Sequence, residues 1–345
     1  MRASRLLSIA ASAALLVGLA GCAQSAETPS GGAGSSAATG ADAFPVTIKH
    51  AYGETVIPEK PKRVATVAWA NQEVPLALGV VPVGMAKANY GDEDGDGLLP
   101  WTKEKLDELG AKTPVLFDET DSIDFEAVAD TKPDVILAAY SGLSKSDYET
   151  LSKIAPTVSF PGVAWGATLD QMITMDSAAI GMAAEGRKLV AQLDDEVDAD
   201  AAKHPAISGK SAAFAYFDPS DLSKIGFYTT NDTRAGFLEQ AGMTTPAVVK
   251  EASAKTKEFY TTVSAEEAQR FDDVDVLVMY GDAALLKKLQ ADPLIGKISA
   301  IQRGSVAMLA DDSALAAGAN PSPLSVGWGV DKYLDLVDAA ASKVG

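Results

Sequence analysis

From about residue 44 onward, short runs of β-branched and other apolar residues alternate with stretches whose apolar positions recur every three or four residues. That alternation is the pattern of α/β lobes. In the first half it predicts strands over residues 63–69, 81–85, 135–140 and 158–160, with helices over 72–78, stopped by Gly79, and 147–154, ended by Pro156. The second half repeats the style, with strands over 211–217, 226–230, 274–280 and 305–309 and helices over 234–240 and 330–341. Between the halves, Leu169, Met172, Ile173, Ile180, Ala183, Val190, Leu193 and Val197 form one apolar stripe with no strand signal. This predicts a linking helix over 166–204, roughly 30 residues or more and about 50 Å long, which Gly181 and Gly186 could bend and Pro205 ends. The expected fold is therefore α/β, two Rossmann-like lobes (44–165 and 205–345) bridged by one long α-helix.

An internal echo supports two lobes. Glu126 opens a helix-like stretch leading into a strand that ends at Tyr140, and Glu266 does the same before Tyr280, at the same separation. Ligands in such sheets gather beyond the strand ends, so a cleft walled by both tyrosines is expected, with Glu126 and Glu266 near its outer rim. Ordinary helix-start glutamates, stabilised by the helix dipole, would look the same.

Composition narrows the function. The 345 residues include 29 Lys+Arg against 47 Asp+Glu, a net charge of −18, which argues against nucleic acid. One cysteine and two histidines exclude a disulfide framework and leave no His- or Cys-rich metal site. There is no G-x-S-x-G or H-E-x-x-H segment, and so little support for a secreted hydrolase. Asp92-Glu-Asp-Gly-Asp-Gly97 has the acid spacing of a calcium loop, but Lys103 stands where the closing Glu belongs, so an acidic surface loop is expected.

At the N-terminus, Arg2 and Arg5 precede an apolar stretch over residues 6–20, shorter than the roughly 20 residues of a membrane span. Residues 1–21 read as a secretory leader. Leu19-Ala-Gly-Cys22 resembles a bacterial lipobox, which implies lipidation of Cys22, export, and attachment to the outer face of the plasma membrane. Residues 22–43, small, polar and rich in Gly and Ser, read as a flexible tether.

Several segments resemble the substrate-binding lipoproteins of iron-siderophore ABC importers (class III, related to vitamin B12- and haem-binding proteins). They are residues 48–57, Pro61-Lys-Arg-Val64, Asn71-Gln-Glu73 with Ala77-Leu-Gly79, Pro82-Val-Gly84, residues 132–142, residues 151–156, and Pro321-Ser-Pro-Leu-Ser325 before Trp328-Gly-Val-Asp331. The resemblance implies a non-catalytic, monomeric receptor without a cofactor. It would capture a ferric siderophore between its lobes and deliver it to a permease dimer with its ATPase; vitamin B12 or haem is the alternative cargo. It also implies that Glu126 and Glu266 meet arginines of the permease.

Candidate ligand contacts follow from placement. Trp69 ends the first strand and is either a cleft wall or core; Asn71 begins the next turn as a hydrogen-bonding group. Tyr140 and Ser141 end another strand, and Trp165 either faces the cleft or caps the linking helix. Arg234, at the head of a helix, would donate to ligand oxygens or sit in a surface salt bridge. Tyr228, Tyr280 and Asn320 are further candidates. A strongly acidic chain with a single cleft arginine weakly favours neutral or cationic hydroxamate complexes over an anionic tris-catecholate.

Overall fold

The computed structural model describes residues 43–345, so the leader, Cys22 and nearly all of the tether lie outside the described residues. Among the described residues no helix is long and apolar enough to cross a membrane.

The described residues open with an antiparallel hairpin, β1 (Val46–His50) and β2 (Gly53–Ile57). Gly53 makes the turn at φ +125, a backbone state open to glycine. The first lobe is built on β3 (Val64–Thr66), β4 (Gly84–Ala86), β5 (Val115–Phe117), β6 (Val135–Leu137) and β7 (Thr157–Val158), ordered β5-β4-β3-β6-β7 and parallel throughout. Both faces are covered: Val135 and Leu137 of β6 enter one apolar core and Ile136 the other. That is why this strand reads as a continuous apolar run.

The second lobe carries β8 (Ala212–Asp218), β9 (Asp221–Tyr228), β10 (Tyr260–Ser264), β11 (Val276–Tyr280) and β12 (Val306–Leu309), ordered β10-β9-β8-β11-β12. Here β8, β11 and β12 are parallel, but β9 runs antiparallel to both β8 and β10. The lobe is thus Rossmann-like on one side only. Within the two five-stranded sheets, two strands escaped the hydropathy pattern, β5 and β10; β10 has no fully buried residue, so it carries no apolar alternation.

The linking segment corrects the expectation of one helix over 166–204. It forms two helices, Leu169–Ala179 and Ala183–Ala201. Thr168 caps the first in a reciprocal capping box with Gln171. Gly181 interrupts the run at φ +68, and a Cβ there would fall 2.6 Å from the Phe44 ring. A Cβ on Gly186 would collide with Ser177 Oγ and approach the Ile173 carbonyl, so the second helix folds closely against the first instead of extending it. The long linking helix is therefore Ala183–Ala201, about 28 Å at 1.5 Å per residue. It packs on the final helix, Ser325–Ala341.

The largest apolar core draws on both sheets and both of these helices. Across the same seam, the fully buried Glu73 accepts hydrogen bonds from Trp101 Nε1 at 2.6 Å, Ser322 Oγ at 2.5 Å and the Leu324 N–H at 3.0 Å. Burial pushes its carboxyl up to about 7 despite these donors.

Candidate functional site

The first lobe aims its cleft residues through its backbone. After β3, Ala68 and Ala70 both adopt φ 62, a left-handed state that costs a non-glycine residue about 1 kcal/mol or more. They flank the half-buried Trp69 and turn it out of the strand. Glu119 holds this turn, its Oε2 accepting the Ala68 N–H at 2.8 Å. Burial pushes the Glu119 carboxyl up to about 7.

Asn71 corrects its expected role. It is fully buried, its amide donating to the carbonyls of Val67 (2.8 Å), Trp69 (3.2 Å) and Tyr140 (2.9 Å) and accepting the Tyr140 N–H (2.9 Å). With its amide engaged on both sides, it clamps the loop after β3 to the loop after β6 and presents nothing to a ligand. Ser141 is likewise buried, donating to the Ala138 carbonyl at 2.7 Å.

Tyr140 and Trp165 reach the cavity. Their rings meet edge to face at 5.5 Å, and Trp165 is held at φ 60 by its N–H on the Ser141 carbonyl. Gly142 is required beneath it, since a Cβ there would lie 2.2 Å from the indole nitrogen. The capping reading of Trp165 falls, because Thr168 fills that place.

The second lobe aims its residues through charge. Asp232 caps the helix Thr233–Gln240 and takes Arg234 in a two-pronged ion pair, Nε at 2.8 Å and Nη2 at 3.0 Å. Burial alone would lower the Arg234 guanidinium, but Asp232 holds it well above its ordinary value. The surface-salt-bridge alternative gives way to a shielded pair, with Asp232 only 2% exposed. Arg234 lies over the Tyr228 ring at 4.1 Å and donates to Tyr280 Oη at 3.2 Å. Tyr228 supports the arginine from below and, contrary to expectation, does not line the cavity.

These groups enclose a cavity of 310 Å³. Trp69, Tyr140, Trp165, Arg234, Tyr280 and Asn320 all line it, as placed from sequence. Asn320 joins the lobes, donating from Nδ2 to Tyr140 Oη at 3.1 Å and accepting from Thr233 Oγ1. Burial raises the hydroxyls of Tyr140 and Tyr280, which keeps them protonated donors at neutral pH. Sequence reasoning missed Asn89, Tyr90, Phe259, Ala316 and Ala317. Asn89 and Tyr90 follow β4 just as Trp69 follows β3, so the strand-end rule applied to every strand would have found them. Tyr90 also reaches across to the other lobe, donating to Asp311 at 2.9 Å.

The remaining candidates sit apart. Glu126 is exposed in the first turn of the helix Phe125–Asp130, and Glu266 is exposed in a 3₁₀ segment, Ala265–Phe271, the helix-like stretch expected there. In the acidic loop, Asp92 accepts the N–H groups of Gly95 and Gly97, while Lys103 bridges Asp94 and Asp96. His50 pairs with Thr55 Oγ1 at 2.9 Å, and His204 sits between the Asp200 carbonyl and Asp335.

The periplasmic binding protein family profile matches residues 64–313, and the chain belongs to that family. A probable siderophore-binding lipoprotein of Bacillus subtilis, YfiY, is 31% identical over 236 residues, covering 68% of this chain and 67% of that one. The iron(3+)-hydroxamate-binding protein YxeB of the same organism is 23% identical over 84% of each chain. Among solved structures, PiaA of Streptococcus pneumoniae in complex with ferrichrome superposes with a TM-score of 0.84 at 44% identity, covering 87% of this chain and 99% of that one.

Proposed function

We propose that the protein is an extracytoplasmic receptor that captures a ferric siderophore of the hydroxamate type between its lobes and delivers it to an ABC permease. The observation that carries this is the cavity itself. Its walls are Trp69, Tyr140, Trp165 and Tyr280, and Asp232 already neutralises Arg234, the one cation among the lining residues. Aromatic faces suit the partly apolar exterior of a large chelate, and protonated tyrosines with an arginine fork suit its hydroxamate oxygens. A trihydroxamate binds Fe³⁺ as a neutral complex, matching a site without surplus charge. YfiY, YxeB and the ferrichrome complex of PiaA support the same reading. Cys22 would carry the lipid that holds the receptor at the outer face of the plasma membrane. Exposed Glu126 and Glu266 would dock it, one on each lobe, against arginines of the permease dimer that works with an ATPase.

Tryptophan-fluorescence titration with ferrichrome, ferrioxamine B, a ferric catecholate, haem and cobalamin tests the cargo. Saturable quenching by the trihydroxamates is expected, and binding of cobalamin alone would overturn the assignment. Charge reversal at Glu126 and Glu266 should abolish uptake while leaving affinity intact.

A further inference from the structure

Beside the central cavity, and sharing Trp69 and Trp165 with it, lies a second chamber of 460 Å³. Its character is different. Glu119, Asp121 and Asp147 line it against a single cation, Lys87, so one end of the cleft is acidic where the Arg234–Asp232 end is neutral. Glu119 is also incompletely satisfied. Its Oε2 takes the Ala68 N–H, but its Oε1, shielded from water, has no hydrogen-bond partner. Burial pushes this carboxyl up to about 7, and a group supplying both a donor and positive charge would hold it ionised and satisfy the free oxygen. The two tryptophans offer faces for the alkyl stem and charge of such a group.

We propose that the receptor selects ferric chelates bearing a cationic arm, the iron centre resting in the central cavity and the arm lying in the chamber beside Glu119. This rests on the hydroxamate reading above and adds to it a charge preference with a location. Titrations of the full chain compare three iron(III) trihydroxamates: ferrioxamine B, which ends in an ammonium group, its N-acetylated form, and ferrichrome, which has no such arm. Wild-type protein should bind the amine form about tenfold more tightly than the acetylated form. In Glu119→Gln the ratio of the two ferrioxamine affinities should fall below about twofold. Glutamine retains a carbonyl for the Ala68 N–H, so Trp69 stays aimed. The exposed Asp121→Asn change is the second variant and should cut the preference to about threefold. Equal wild-type affinities for the two ferrioxamines, or a preference that survives in Glu119→Gln, would overturn the arm site while leaving the hydroxamate reading standing. If none of the three quenches fluorescence, the hydroxamate reading fails and the arm site falls with it.

Discussion

The two walls of the cavity come from lobes with the same Glu-to-Tyr echo, yet they hold their functional side chains by opposite means. In the first lobe the agents are backbone conformation and a neutral amide: Ala68, Ala70 and Trp165 in left-handed states, with Asn71 tying two loops together. In the second lobe the agent is charge, Asp232 gripping Arg234 and placing it between Tyr228 and Tyr280. The first arrangement stores strain in a rigid turn, while the second depends on one ion pair shielded from water. A single substitution should therefore injure the second wall far more than the first.

Asp232→Ala is the most severe way to break that contrast. It leaves Arg234 charged and unpaired in a shielded site, and a loss of about 3–5 kcal/mol in urea unfolding is expected. A loss under about 1 kcal/mol would mean that solvent reaches the arginine and the pair is ordinary surface charge.

The seam between the lobes offers the next test. Glu73 carries a folded-state value of about 7 against an ordinary 4.5. A carboxyl that holds its proton more tightly when folded adds stability that is fully present below about pH 4.5 and is lost as the pH rises toward 7. On this account unfolding free energy should fall by on the order of 2–3 kcal/mol between pH 4.5 and 8 from this group. Glu73→Gln should flatten that slope, and an unchanged slope would show that Glu73 is ionised in the native protein.

The smallest effect sharpens the contrast by its sign. Ala70→Gly relieves a left-handed alanine and should stabilise by about 0.5 kcal/mol while loosening Trp69, whereas Ala235→Gly, within the helix behind Arg234, should destabilise by about 0.5–1 kcal/mol. Chemical denaturation of the pair reads both. Losses in both variants would show that the first wall is not strained.

Much of the candidate site was legible because ligands of parallel sheets gather beyond the strand ends. Trp69, Tyr140 and Tyr280 fall at or just beyond such ends, and Arg234 and Asn320 were placed by adjoining loops and helix starts. Asn71, Ser141 and Tyr228 also sit near those ends but turn inward. Strand-end position fixes a neighbourhood within a few ångströms, whereas the direction of a side chain depends on which carbonyls and rings its neighbours present. Glu119 carried no signal, since its importance comes from an N–H contributed by a loop far away in sequence.

The order of apolar runs was enough by itself to establish two α/β lobes with a helical link, because burying both faces of a parallel strand demands an unbroken apolar stretch. Tertiary structure alone decided the rest. It turned the possible bend at Gly181 into a break, where Phe44 occupies the space a side chain would need. It reversed β9 against its neighbours, which local hydropathy cannot register because alternation is the same in either direction. It also cancelled the charge of Arg234 with Asp232, turning the expected cationic contact into a neutral one, since the pair's strength comes from shielding that only the assembled cleft provides.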